Sequence, residues 1–319
     1  MPKGSKVSIV GAGGNVGSIV AYSIAMQGLA HEVILVDRDK DRARGKALDM
    51  NQAAAALRTH SVVKAAESYE DIADSKVVVI TAGFPRKPGM SRDDLLFANA
   101  DIVSEVTENV VKHAPDSIII VVTNPLDTMT YVALKKSGFP KNRVIGMAGI
   151  LDGARMTHFI YEKLGFGAGQ IRATVIGGHG DYMVPLPRYS TVAGIPITDL
   201  LTPGELAEVV EATKKGGAQI VKLMGTSAYF APGKATAIMV EAILKDSKKI
   251  YPCSTLLEGE YGVHGIPNGV PVTLGADGVE EIIELQLTPK EREEFDRSVA
   301  SVKELIDILE SQDYFGEKK

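Results

Sequence analysis

The first half of the chain alternates between two kinds of pattern. Short, almost wholly apolar runs occur at residues 6–10 (KVSIV), 32–37 (EVILVD), 76–83 (KVVVITAG), 117–124 (SIIIVVTN) and 143–147 (RVIGM). Between them lie longer stretches with apolar residues at helical spacing, at 16–27, 40–58, 93–113 and 126–138. Apolar strands too short to be helices, separated by helices, predict a parallel sheet covered on both faces. Such α/β sheets bind ligands at the carboxyl ends of their strands.

After about residue 148 the rhythm changes. A helix is expected over 151–165, then a strand from about 171 to 178, then helices over 202–225 and 231–246. Hairpin-like strands follow around 267–285, where Asn-Gly and Asp-Gly are turn signals. The stretches TPGE and TPKE read as capping boxes, with Thr202 or Thr288 as cap and Pro in the first helical position. The second half is therefore read as a mixed α+β domain. The expected division is 1–148 and 149–319, with no flexible linker, so the two domains should share one site.

Composition narrows the partners. The 319 residues are 45% hydrophobic with a net charge of −5, an ordinary globular balance that argues against nucleic acid or an anionic membrane as main partner. No apolar run reaches the roughly 18 residues of a membrane span. Cys253 is the single cysteine, so neither an intrachain disulfide nor a thiolate metal cluster is expected, and a reducing cytoplasm fits.

The chemistry gathers at strand ends. In KVSIVGAGGNVG, residues 6–17, the glycines miss the G-x-G-x-x-G spacing by one residue but fit G-x-x-G-x-x-G as Gly11, Gly14 and Gly17. Either spacing brings the backbone close to a pyrophosphate and aims a helix N-terminus at it; the alternative is a tight turn with no ligand. Gly11, Gly13, Gly14, Asn15, Val16 and Gly17 are the expected contacts. Asp37 ends the second strand 20 residues after Gly17, where a carboxylate can hold ribose hydroxyls and repel a 2′-phosphate, favouring NAD over NADP; it can equally cap the next helix. Arg38 and Lys40 beside it can soften that discrimination.

Of six histidines, five lie in surface or packing contexts. His179 sits among glycines in VIGGHGDYMVP, leaving room for ligands to approach, although a structural turn histidine is the alternative. Asp152 and Arg155, three apart, share a helix face. The helix runs out about 20 Å at 1.5 Å per residue, and the strand after it returns about 23 Å at 3.3 Å per residue. That brings His179 back beside Asp152, which can orient the imidazole and raise its pKa, and beside Arg155, which can fork onto a carboxylate. The alternative is a surface ion pair of little energetic worth. Asn124, in VVTNPLD, can donate to a substrate oxygen, and Val122 can line the nicotinamide side; the alternative is an Asn-Pro helix-entry turn. Pro125 leaves the peptide isomer open. The loop GFPRKPGMSRDD carries Arg86 and Arg92, which can meet a small, doubly charged anion; the alternative is a solvated polar loop.

Taken together, GAGGNVG, VILVD, GKALDM, TAGFPRKPGMSRDDLL, NPLD, RVIGMAGILDGAR and GGHGDYMVP resemble the lactate/malate dehydrogenase family along nearly the whole chain. The likeness is strongest to the lactate-dehydrogenase-like malate dehydrogenases of bacteria and archaea. The resemblance implies a Rossmann domain plus a substrate domain, and reversible NAD-dependent oxidation of (S)-malate to oxaloacetate without a metal. It implies His179 as proton acceptor with Asp152 as its partner. Arg155 would hold the carboxylate next to the reacting carbonyl, and Arg92 would polarise that carbonyl. Arg86 would meet the second carboxylate, Asn124 would touch substrate and cofactor, and Asn99 would contact NAD. It also implies a homodimer or homotetramer. Other readings are a dehydrogenase of lactate or another 2-hydroxy acid, and a catalytically silent NAD-binding protein.

Overall fold

The structure is a computed structural model describing residues 4–84 and 92–316, with Arg92 described by its backbone alone. Arg86 lies outside the described residues. In chain order the first half runs β1 (Lys6–Val10), α1 (Asn15–Met26), β2 (Glu32–Val36), α2 (Lys40–Leu57), β3 (Val62–Ala65), β4 (Val77–Ile80), α3 (Arg92–His113), β5 (Ile118–Val121), α4 (Leu126–Ser137) and β6 (Val144–Gly146). These six strands pair in parallel in the order β3-β2-β1-β4-β5-β6, the doubly wound arrangement read from the sequence. Alternate residues explain why the runs are apolar throughout. Val7, Ile9, Val33, Leu35, Val77, Val79, Ile118 and Ile120 pack into one core, and Val10, Ile34, Val36, Val78, Ile80, Ile119 and Val121 into a second. Each such side chain removed from water contributes about 1.5–3 kcal/mol. The short strand β3, which the sequence reading left unassigned, forms the edge.

The second half continues with α5 (Gly149–Leu164), β7 (Ile171–Arg172), β8 (Val175–Ile176), β9 (Val184–Pro185), β10 (Thr191–Val192), β11 (Ile195–Pro196), α6 (Pro203–Met224), α7 (Phe230–Leu244), β12 (Lys249–Glu258), β13 (His264–Gly275), β14 (Gly278–Ile282) and α8 (Pro289–Ser311). Both capping boxes form: Thr202 accepts from the Glu205 N–H and Thr288 from the Glu291 N–H, with the glutamates reaching back to the cap N–H groups.

Three details differ from the sequence reading. The strand expected over 171–178 is broken. β7 pairs with β10, whereas β8 pairs with β9. Between them Thr174 takes bonds from loop groups instead, its N–H donating to Ser190 Oγ at 3.0 Å and its hydroxyl to the Tyr189 carbonyl at 2.8 Å. Asn268-Gly269 is no turn but the middle of β13; only Asp277-Gly278 turns the chain, between β13 and β14. β12, unassigned from the sequence, pairs antiparallel with both β13 and β6, so one nine-stranded sheet runs through both halves.

Candidate active site

Two groups of residues meet at the carboxyl ends of the central strands. The first is the glycine loop. Gly11 turns the chain with φ at +87°. A Cβ at Gly17 would sit 2.6 Å from the Gly11 carbonyl oxygen, and one at Gly13 would sit 2.6 Å from Asp37 Oδ2. So Gly11 and Gly17 are required by close backbone approach and Gly13 by the placement of the Asp37 carboxylate, while Gly14 is the N-cap of α1. Asp37 Oδ2 accepts the Gly13 N–H at 2.7 Å and Oδ1 accepts the Asp39 N–H at 2.9 Å. The capping alternative for Asp37 is thereby settled: Asp39 is the N-cap of α2, accepting from the Arg42 N–H. Asp37 ties the tip of β2 to the glycine loop.

The loop fits a dinucleotide phosphate. Gly14 and Asn15 are exposed, α1 has no side-chain cap bond, and its first turn carries no acidic residue. The first N–H groups of a helix have no partner inside the helix, and the helix dipole favours an anion there. Asn15, Val16 and Gly17 head that helix.

The second group surrounds His179. Asp152 lies in the first turn of α5, almost fully buried, with both carboxylate oxygens engaged. His179 Nδ1 is 2.9 Å from Oδ2, and Arg155 Nη1 donates to Oδ1 at 3.0 Å. The expected return of the chain therefore happens, by way of the broken strand, and Asp152 and Arg155 form no mere surface pair. Because the carboxylate accepts from Nδ1–H, Nε2 is left to exchange a proton. Burial works against charge on the imidazole. The field of Asp152 and its hydrogen bond outweigh that, with a smaller contribution from Asp127, so the His179 pKa lies above its ordinary value.

Arg155 is mostly buried, and its Nε has no hydrogen-bond partner among the described residues. The guanidinium passes beside Gly217 of α6, where a Cβ would come within 3.3 Å of Nη2. Asn124 is exposed, and the Asn124-Pro125 peptide is cis. Its carbonyl oxygen accepts from Asn99 Nδ2 at 2.8 Å. Asn99, read as an NAD contact, is buried and braces two backbone segments: besides Asn124 it accepts the Phe84 N–H at 2.7 Å and donates to the Phe84 carbonyl at 3.2 Å. Val122 is buried just beyond β5, its N–H on the Ile80 carbonyl.

The sequence reading missed what holds the histidine turn. Gly177 donates its N–H to the Gly269 carbonyl at 2.8 Å, the Gly178 N–H bonds Ser298 Oγ at 2.6 Å, and the His179 N–H bonds Asp127 Oδ2 at 2.8 Å. Gly269 is mid-strand for this reason: a Cβ there would lie 2.3 Å from the Gly177 carbonyl oxygen. The signals were a glycine inside a strand, which marks a close backbone approach, and the acid in NPLD.

Comparison with known proteins agrees with this geometry. Residues 5–146 match the family model described as lactate/malate dehydrogenase, NAD binding domain, and residues 150–312 match its alpha/beta C-terminal domain. A malate dehydrogenase from a Nitratiruptor species is 92% identical over 318 residues, covering all of both chains. The solved malate dehydrogenase of Salinibacter ruber superposes with a TM-score of 0.93 at 48% identity, covering 98% of this chain and all of its own. A Cryptosporidium parvum lactate dehydrogenase, solved with lactic acid and β-nicotinamide adenine dinucleotide, gives 0.92 at 39%, covering 97% and 99%.

Proposed function

As the chain belongs to the lactate/malate dehydrogenase family, we propose that it catalyses the reversible NAD-dependent oxidation of (S)-malate to oxaloacetate at the cleft between the glycine loop and His179. The observation that carries the reading is the buried Arg155–Asp152–His179 chain, tied through Asp127 to the start of α4 in the same sheet unit whose first strand ends in the dinucleotide-type loop. The fold alone does not choose the substrate, since malate and lactate dehydrogenases superpose on it equally well. The full-length identity to a malate dehydrogenase favours the dicarboxylate.

Bound NAD or NADH supplies the hydride acceptor or donor for the carbon bearing the hydroxyl. The chain does the rest. His179 Nε2 takes the hydroxyl proton in oxidation and returns it in reduction, while Asp152 fixes the ring and stabilises its charged form. Arg155 grips the carboxylate beside the reacting carbon. Asn124, and by resemblance Arg92, donate to the oxygen on which charge develops. Arg86 is assigned the second carboxylate by its place in the sequence. The N–H groups of Asn15, Val16 and Gly17 hold the pyrophosphate, Asp37 the adenosine ribose, and Val122 the nicotinamide face.

The test is steady-state rates with oxaloacetate and pyruvate, each with NADH. Oxaloacetate is expected to have much the larger specificity constant; equal constants would overturn the choice of substrate. For the cofactor, Asp37→Ser is expected to weaken NADH binding by about 10- to 100-fold, because a charged acceptor is lost from the ribose and from the Gly13 N–H. The NADPH-to-NADH ratio of specificity constants should rise as the repulsion of a 2′-phosphate is removed. An unchanged ratio would make Asp37 a loop buckle only.

The chain is also proposed to act as a homo-oligomer in the cytoplasm. Leu48 and Leu57 on α2 and Phe230 on α7 are each more than half exposed, on helices that both pack against α1, and a second copy would cover them. Sedimentation showing a monomer at micromolar concentration would refute this. Cys253 is free and buried, as in a reducing compartment. Among the described residues no helix is long and apolar enough to cross a membrane.

A further inference from the structure

We infer that Asp127 is a positioning residue for proton transfer: a buried acid that clamps the His179 turn onto α4 and gives the imidazole a second negative neighbour. The inference rests on His179 being the proton-transfer group. Asp127 lies in the first turn of α4, almost fully buried, across the domain junction from His179. Its two oxygens accept from two different elements. Oδ2 takes the His179 N–H at 2.8 Å, and Oδ1 takes the Ser254 hydroxyl of β12 at 2.7 Å. Donors on both oxygens match a carboxylate, which is acceptor-only when ionised.

The clamp has a geometric basis that a mere core acid lacks. The peptides of Gly177, Gly178 and His179 are held in succession by Gly269 of β13, Ser298 of α8 and Asp127 of α4. Among these three partners Asp127 alone is ionisable. Gly178 leaves room for it, since a Cβ there would lie 3.2 Å from Oδ2. Among the described residues, the groups bearing on the ring are then Asp152 and Arg155 from α5 and Asp127 from α4; Asp181, two residues along the turn, is exposed. Asp152 and Asp127 favour the imidazolium and Arg155 opposes it. Burial, with the field of Asp152 behind it, raises the Asp127 carboxyl above its ordinary range, against the Ser254 and His179 hydrogen bonds and the charge of the imidazolium, which favour its ionised form. The imidazole is thus steadied through its ring by one acid and through its backbone by another, each anchored in a different domain.

Asp127→Asn tests this, because the amide oxygen can still accept the His179 N–H while its NH₂ group donates to Ser254. The pH midpoint of kcat/KM for oxaloacetate reduction, which needs protonated His179, is expected to fall by roughly 0.5–1 unit. The midpoint for malate oxidation should fall with it, and the NADH dissociation constant read by fluorescence should not move. A folded Asp127→Asn enzyme with an unmoved midpoint overturns the proposal. Should that variant not fold, Ser254→Ala removes one of the donors keeping the acid ionised and is expected to shift the midpoint the same way by less; no shift there overturns it equally. Failure of His179 itself is told apart by His179→Asn, whose retained turnover would remove the premise and not merely the role of Asp127.

Discussion

His179→Asn is expected to leave folding and NADH affinity near those of the parent and to cut turnover by about 10²–10⁴-fold, the usual cost of losing a general acid–base group. The asparagine amide can still donate to Asp152 Oδ2, where Nδ1 now sits at 2.9 Å. What disappears is the group at the position of Nε2. In the parent enzyme the raised pKa fixes the sign of the pH dependence. Oxaloacetate reduction needs the imidazolium, so its kcat/KM should hold through the ordinary histidine range near 6.5 and fall as pH rises through the elevated value. Malate oxidation needs the neutral ring and should rise over the same interval. Stopped-flow turnover and NADH fluorescence, measured from pH 5 to 9, check both. Near-parental turnover at neutral pH in the variant would remove His179 from the mechanism.

How much of this could be read from the chain alone depends on whether the signal was local. The strands β1, β2, β4, β5 and β6 were legible because both faces of the parallel sheet are buried, and that prints as an unbroken apolar run. β12 was not, because Pro252 interrupts its apolar run and its other neighbour, β6, lies more than 100 residues earlier, although β13 follows it directly as a hairpin partner. The break between β7 and β8 is caused by Ser190 and Tyr189, which no local pattern ties to Thr174. In the site, Asp152, Arg155 and His179 were legible from helix and strand arithmetic. Asp127 was not, since the backbone N–H it accepts lies 52 positions away. Asn99 was read as a ligand contact from resemblance, and its bonds to Phe84 and Asn124 show a brace that only the fold brings about. Asp37 and Asp39 stand two apart and compete in sequence for the same helix cap; the backbone gives the cap to Asp39 and Asp37 to the glycine loop.

Arg155 carries the second large effect. One arm of its guanidinium, Nη1, holds Asp152, and the opposite edge, Nε, is buried without a partner among the described residues. A buried donor left unmade costs free energy unless something meets it, and a planar fork with an open edge suits a carboxylate. Gly217 keeps the space beside Nη2 clear. Arg155→Met removes the fork and strips Asp152 of a charged donor. Truncating one side of a buried, hydrogen-bonded charge pair costs about 2–5 kcal/mol, so kcat/KM for oxaloacetate should fall by roughly 30- to 5,000-fold. Arg155→Lys should fall nearly as far, because a point charge on a flexible stem does not reproduce the two-pronged grip. The pair of variants separates grip from charge. Arg155 opposes charge on the imidazole, so Arg155→Met should move the His179 midpoint upward, opposite to Asp127→Asn, whereas Arg155→Lys should leave it near its place. In both, NADH binding should be unaffected, as Arg155 lies on α5 and the glycine loop heads α1. An Arg155→Met enzyme with near-parental kcat/KM would mean that the open edge of the guanidinium faces no carboxylate during the reaction.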